Sequence, residues 1–321
     1  MRVAGRCVPR LVGEFWTARQ RQASALHEIA YRACFKPQLP RYFIERLSQP
    51  GDLVYDPFSG RGTTAIETAL LRRRVIANDL NPLSAILILP RLRLPAYPAI
   101  AERLTRILPA QHGAEMDLSM FFHPATEREI VGLRDYLRQR RQAGEEDEVD
   151  AWIRMVATNR LTGHSSGFFS TYTLPPNQAT SPQRQRLINS RLNQQPTYRD
   201  TRALILRKTL SLMRGLTEQQ AVDLRTAAQT ALLLTCDARA TPAIAGESVQ
   251  LTVTSPPFLD VVQYARDNWL RCWFNDLDAQ VIESAIAQMR RLDDWLSVMR
   301  AVFGELYRIT RPGGWVAFEV G

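Results

Sequence analysis

The stretch Val54-Tyr55-Asp56-Pro57-Phe58-Ser59-Gly60-Arg61-Gly62-Thr63-Thr64 reads as a strand running into a glycine turn, with a helix-like run over residues 65–73 behind it. Gly60 and Gly62 permit tight backbone geometry and close approach of a ligand, and the N-terminus of the helix that follows favours a carboxylate or phosphate. A second strand-like run, 74–78, ends in Asp79. It lies about twenty residues beyond Asp56, the spacing at which an acid on a strand tip grips ribose hydroxyls. The nicotinamide fingerprint G-x-G-x-x-G does not occur at this loop. Strand, glycine turn, helix and acid-tipped second strand predict an open parallel α/β sheet with its ligand at the strand ends.

The second informative stretch is Ser255-Pro256-Pro257-Phe258, which closes the strand-like run 249–254. Consecutive prolines fix φ and offer no N–H, so the backbone presents carbonyl acceptors along a stiff line. Ser255 adds an oxygen and Phe258 a ring face on which a base can stack. Such a set suits an exocyclic amino group on a planar ring. The plain alternative is a Pro-Pro turn ending a buried strand, and short motifs carry a high rate of chance matches.

Together these residues resemble the amino-methylating DNA methyltransferases, which use S-adenosylmethionine to methylate cytosine N4 or adenine N6. The run from Asp56 to Thr64, with Asp56, Pro57, Phe58, Ser59, Gly60, Gly62, Thr63 and Thr64 as its matching positions, is similar to their methionine-binding loop. Phe35, Lys36 and Pro37 are similar to the cofactor segment before the first strand, and Asp79 to the ribose-binding acid. Asp237, after Leu234-Thr235-Cys236, resembles the acid near the adenine amino group, and Arg311-Pro312-Gly313-Gly314 the turn before the fifth strand. Ser255, Pro256, Pro257 and Phe258 are similar to the catalytic tetrapeptide. A serine in its first position leans towards N4-cytosine, an aspartate or asparagine towards adenine. The resemblance implies a Rossmann-like methyltransferase sheet with helices on both faces and S-adenosyl-L-methionine as cofactor. It implies duplex DNA with an extruded target base as partner, and a cognate restriction endonuclease as a further partner class. Methylation of adenine N6, an RNA acceptor, or a non-catalytic nucleic-acid binder that keeps the cofactor fold stay open as alternatives. Members of the family usually carry two more strands after the fifth, as a hairpin at the sheet edge. Here the sequence ends at Gly321, so that hairpin is expected to be missing.

With 321 residues and 45% hydrophobic residues the chain can bury a large core. Its mean hydropathy of −0.22 is that of a soluble globular protein. The basic start, residues 1–10, is not followed by a signal-like apolar stretch, which argues for a cytoplasmic, nucleoid-associated protein. A net charge of +9 favours a polyanionic partner, and nearly all of it is arginine, with lysine only at positions 36 and 208. Arginine-rich codon usage is the plain alternative. The four cysteines, Cys7, Cys34, Cys236 and Cys272, form no C-x-x-C pair, which argues against a zinc site or a disulfide framework. None follows a proline, so the covalent chemistry of C5 methylation is disfavoured. Amino methylation needs no such nucleophile.

Residues 15–47 read as largely helical, broken by Pro37 and Pro40 before 42–47. After the second strand the α/β rhythm stops, and helical periodicity runs over 99–108, 126–142, 149–161 and 200–214. The run Glu145-Glu146-Asp147-Glu148 reads as a solvated turn or a first helical turn. The division expected is 1–84 for the N-terminal helices and strands one and two, 85–231 for a mainly helical insertion carrying target recognition, and 232–321 for strands three to five. Those last strands are placed at 231–236, 249–254 and 315–320, with a helix at 264–274 whose Trp269 and Trp273 pack on the sheet. Within the insertion, 160–178 reads as a long contact loop. Arg160, Asn177, Gln178, Arg184 and Arg186 are the candidate DNA contacts, and His164 is a polar contact or core residue.

Overall fold

Five strands form one parallel sheet: β1 (Leu53–Asp56), β2 (Arg74–Asn78), β3 (Leu232–Leu234), β4 (Val249–Thr254) and β5 (Thr310–Phe318). The structure is a computed structural model. It describes residues 12, 23–32, 34–174, 180–257, 264–286 and 291–320, with backbone alone at 2–3, 6–7 and 264–265. The strand order is β3-β2-β1-β4-β5, and every pairing is parallel. This is the Rossmann-like parallel sheet expected. It turns back on itself between β1 and β4, and in such sheets the crevice beyond the strand ends at that point receives the ligand.

A parallel sheet covered on both faces demands near-continuous apolar strands. All six residues of β4 are buried, as are the last three of β1 and the last four of β2. Twelve helices of at least seven residues lie among the described residues. The first six are α1 (Gln38–Leu47), α2 (Thr63–Leu70), α3 (Leu83–Arg93), α4 (Tyr97–Arg106), α5 (Pro124–Gln142) and α6 (Glu148–Thr158). The others are α7 (Pro182–Arg191), α8 (Thr201–Met213), α9 (Glu218–Thr230), α10 (Tyr264–Phe274), α11 (Ala279–Ala285) and α12 (Leu292–Ile309). Alternation along β2 assigns the two faces. Val75 and Ala77 join the core of α2, α3 and α9, whereas Ile76 joins Met299, Val302 and Leu306 of α12. The first of these cores also contains Phe121, Trp152 and Ile205, so the helices between β2 and β3 share one apolar interior with the sheet. No helix among the described residues is long and apolar enough to cross a membrane.

Between β4 and β5 the register jumps. Val249 pairs with Thr310 but Leu251 with Trp315, so Arg311-Pro312-Gly313-Gly314 bulges out as a turn. Gly313 has φ +76°, and a Cβ on Gly314 would stand 3.0 Å from the Gln250 carbonyl. Beyond the turn, β5 lies beside β4 up to Phe318, and among the described residues it is an edge strand.

Several expectations change. Within 15–47 the described residues hold only a short 3-10 turn, Ala25–His27, and α1. Pro40 lies inside the first turn of α1, where a missing N–H costs nothing, so it does not break the helix. The helix after the glycine loop stops at Leu70 because Arg72 takes a left-handed φ of 62°. Asp147 caps α6 with a reciprocal capping box to Asp150, so of its two expected readings the acidic run takes that of a first helical turn. With Asp150 it also neutralises arginines: Arg103 bonds Asp147 and Asp150, Arg140 bonds Asp150, and Arg154 bonds Glu146. Trp269 and Trp273 of α10 pack into the core shared with the insertion, Trp269 against Phe121 with ring centroids 5.9 Å apart, and not on the sheet alone.

Candidate active site

The loop after β1 is built from its own hydrogen bonds. Ser59 Oγ donates to the Asp56 carbonyl (2.8 Å), and the Gly62 N–H donates to the Ser59 carbonyl (2.6 Å). The Ser59 N–H donates to the Asn78 carbonyl (2.9 Å) and the Gly60 N–H to Asp79 Oδ2 (2.8 Å), which ties the loop to the end of β2. Both glycines have positive φ, 50° at Gly60 and 76° at Gly62. A Cβ on Gly62 would stand 2.2 Å from Ile88 Cγ1, so this glycine lets α2 seat against α3. On Gly60 a Cβ would meet the Tyr31 ring at 3.2 Å, so the space beside it is covered by the chain itself. Thr63 and Thr64 open α2, both buried, and Thr64 Oγ1 donates to the Val253 carbonyl of β4 (3.2 Å).

Three acids stand at strand ends, as the sequence predicts. Asp56, 2% exposed, accepts from Thr254 Oγ1 (2.7 Å) and from the Phe58 N–H (3.1 Å). Desolvation pushes its carboxyl up to about 6, against those hydrogen bonds. Asp79 accepts from the Gly60 and Asn81 N–H groups, the latter at 2.9 Å, and desolvation likewise holds it at about 6. Asp237, partly exposed, is clasped by Arg239 through Nε (2.9 Å) and Nη2 (2.5 Å), a pairing that holds its carboxyl low. Between them, buried Asn78 donates to the Cys236 carbonyl (2.9 Å) and accepts from the Cys236 N–H (3.1 Å), locking β2 to the end of β3.

The segment before α1 is pinned over this loop. Arg61 Nη1 donates to the carbonyls of His27 (3.0 Å) and Ile29 (2.9 Å). Fully buried Arg91 donates to the carbonyls of Leu26 (3.1 Å), Leu87 (2.8 Å) and Arg61. Burial, with Arg61 beside it, lowers Arg91 to about 9. Asn81 Nδ2 donates to the Tyr31 hydroxyl (3.2 Å). Phe35 and Pro37 are buried and Lys36 is exposed, immediately before α1.

Ser255 follows the last residue of β4, half-buried, with Pro256 buried and Pro257 half-buried behind it. Phe258 lies outside the described residues. Trp295 Nε1 of α12 donates to the Pro257 carbonyl (3.1 Å), and the Glu319 N–H donates to the Thr254 carbonyl (2.9 Å). Burial raises the Glu319 carboxyl, and the neighbouring Ser255 side chain opposes that rise. Thus Asp56, Asp79, the glycine loop and Ser255 meet at one end of the sheet. Tyr31, Asn81, Arg91, Trp295 and Glu319 go unread in the sequence, although Glu319 closes the fifth strand and could have been weighed for that reason.

The candidate nucleic-acid contacts are less uniform. Much of 160–173 is held by the core. Gly163 forms a bridge with Tyr172, the Phe169 N–H donates to the Arg160 carbonyl (2.8 Å), and Phe168, Phe169, Ser170 and Thr173 are buried. This part is therefore no free contact loop, because its two phenylalanines prefer the interior. Arg160 lies over the Phe168 ring at 4.0 Å, and desolvation lowers it to about 10. His164 is exposed rather than in the core. Arg184 is exposed in the first turn of α7, and Arg186 pairs with Asp117 (2.7 Å). Asn177 and Gln178 lie outside the described residues.

Comparison with known proteins agrees with this geometry. Residues 9–85 match a DNA methylase family of the N6/N4 type. A Type II methyltransferase, M.MjaII, of Methanocaldococcus jannaschii is 35% identical over 57 residues, 18% of this chain and 11% of that protein. A tRNA (guanine(37)-N(1))-methyltransferase of Drosophila pseudoobscura pseudoobscura is 51% identical over 41 residues, 13% of this chain and 9% of that protein. The chain thus matches about a tenth of the length of these relatives, and the family match rests on the segment that carries the glycine loop and Asp79.

Proposed function

We propose that the protein is an S-adenosylmethionine-dependent methyltransferase that modifies the exocyclic N4 of cytosine in duplex DNA. The observation that carries this reading is one hydrogen-bonded path. It runs from Asp79 through Gly60 and the loop to Asp56, and on to Thr254, which immediately precedes Ser255.

The residues fit the cofactor. Each Asp79 oxygen takes one backbone N–H and keeps a second acceptor position, so the carboxylate can still receive two vicinal ribose hydroxyls. The Pro57–Gly62 turn and the N-terminus of α2, with Thr63 and Thr64, would hold the methionine part, whose carboxylate suits a helix N-terminus. Phe35, Lys36 and Pro37 would flank it, and Asp237 would reach the adenine amino group on release from Arg239. When bound, the cofactor supplies an electrophilic methyl group on a sulfonium. Ser255 Oγ and the Pro256 carbonyl would accept the two amino hydrogens of the extruded base, and Phe258 would stack on its ring. Most of the rate would come from alignment and electrostatics. Residues 85–231 would carry target recognition, with Arg160, Asn177, Gln178, Arg184 and Arg186 as contacts and the net charge of +9 favouring the phosphates.

The cofactor site has a pH signature. If only ionised Asp79 binds the ribose, affinity falls as pH drops through about 6, and at pH 5 it is about tenfold weaker than at pH 7. Calorimetry over that range should show the loss. Asp79→Asn should bind weakly at both values with a flat profile; a wild-type profile in that variant would remove Asp79 from the site.

The tRNA methyltransferase match favours a second reading, in which the acceptor is RNA. Offering labelled cofactor with duplex DNA and with structured RNA of matched length separates the two. Label in RNA alone would replace DNA as the substrate, and label in neither would leave a binding protein.

A further inference from the structure

Two strands end side by side at the candidate catalytic motif. Thr254 of β4 pairs with Phe318 of β5, and the Glu319 N–H closes the ladder on the Thr254 carbonyl (2.9 Å). Paired residues of parallel strands share a face and successive ones alternate, so Ser255 and Glu319 emerge together on the face opposite Thr254 and Phe318. The register thus sets the Ser255 hydroxyl and the Glu319 carboxylate side by side at the strand ends. Glu319 is half-buried, and desolvation raises its carboxyl while the neighbouring Ser255 side chain opposes that rise. The backbone under this pair is fixed on two sides. Thr254 Oγ1 donates to Asp56, and Trp295 Nε1 donates to the Pro257 carbonyl.

A hydroxyl has one hydrogen to donate and two lone pairs that accept. Left free beside an amino group, serine could donate to the nitrogen and occupy the lone pair that must attack. We propose that Glu319 is a positioning residue that takes the Ser255 hydrogen, leaving Ser255 an acceptor only towards the substrate amino group, and that receives the surplus proton of the reaction through Ser255. The inference rests on the methyltransferase reading above.

The step balances. The amino nitrogen forms a bond to the methyl carbon as the carbon–sulfur bond breaks, and the electron pair of that bond stays on sulfur, which becomes a neutral thioether. The methylated nitrogen then carries one proton too many. That proton passes to Ser255 Oγ while the Ser255 hydroxyl proton passes to the Glu319 carboxylate, from which solvent removes it. Serine ends as it began.

The test is a double-mutant cycle on single-turnover methyl transfer to nucleic acid, with Glu319→Gln, Ser255→Ala and the combined variant. Cofactor affinity and melting temperature are measured on each. Glu319→Gln keeps the shape of the side chain and removes its charge, so it should leave cofactor affinity unchanged and slow transfer by about 10²-fold. Because Glu319 acts through Ser255, adding Glu319→Gln to Ser255→Ala should cost less than twofold more. Glu319→Asp should recover part of the loss. Transfer by Glu319→Gln within twofold of wild type would overturn the inference, as would losses that multiply in full in the combined variant. Wild-type protein that binds cofactor but transfers no methyl group would instead remove the methyltransferase reading, and the inference with it.

Discussion

Replacing Ser255 by alanine is expected to leave S-adenosylmethionine affinity unchanged while methyl transfer falls by about 10²–10³-fold, the loss typical of removing one preorganised hydrogen-bonding group from a reacting centre. The separation follows from the architecture. The cofactor candidates Asp79 and the glycine loop hang from β1 and β2, whereas Ser255 hangs from β4, which is joined to that system through Thr254 and Asp56 and through Thr64 and the Val253 carbonyl. Alanine keeps the backbone that Trp295 and Glu319 hold, so the loss should lie in the rate of the chemical step. Phe258→Ala should behave alike by removing the ring on which the base stacks. Titration calorimetry beside single-turnover kinetics checks both variants. Wild-type transfer rates in both would end the assignment of the tetrapeptide.

Gly62→Val should destroy the cofactor site from within the fold. A Cβ there would lie 2.2 Å from Ile88 Cγ1 and 2.8 Å from its Cδ1, on a residue whose φ is +76°. Overpacking and left-handed strain at a branched residue together cost about 2–5 kcal/mol. Relief would come only by prising α2 from α3, which carries the glycine loop away from Asp79. Thermal unfolding should show a large drop in melting temperature, and cofactor binding should be lost at temperatures where the variant remains folded. Gly60→Val should also lose binding with a smaller drop in stability, since its Cβ meets the Tyr31 ring at 3.2 Å and that side chain can give way. A Gly62→Val protein with wild-type melting and affinity would contradict this packing.

What the sequence makes legible follows from what is locally determined. The glycine loop and the acid-tipped strands are set by backbone chemistry within a few residues and are found at the strand ends where they are expected, whereas the Arg311–Gly314 turn, expected before the fifth strand, is a bulge inside it. Helices α4, α5 and α6 show an amphipathic period against one core and, with α8, are readable to within a few residues. α3 is hidden because it is largely apolar and contains Pro90, and α7 because Gln185 is its only buried residue. α12 has a regular stripe of Met299, Val302, Leu306 and Ile309 that periodicity could have revealed. In the site, Glu319 stands 64 residues from its neighbour Ser255, Trp295 stands 38 from Pro257, which it touches, and Tyr31 stands 50 from Asn81, so only the tertiary fold brings them together. The arginine excess misleads in part, since Arg103, Arg140 and Arg154 neutralise buried or half-buried acids of the insertion.

Incubating the protein with methyl-labelled cofactor and mixed-sequence duplex DNA, then digesting the DNA to nucleosides, shows whether this strand-end constellation moves a methyl group from S-adenosylmethionine to an amino nitrogen of DNA. Label is expected in N4-methylcytosine, and is expected to be absent when Ser255→Ala replaces the wild type over the same interval. Label in N6-methyladenine would keep the site and move the target base. Protein that binds the cofactor and leaves every nucleoside unlabelled would rule out this transfer.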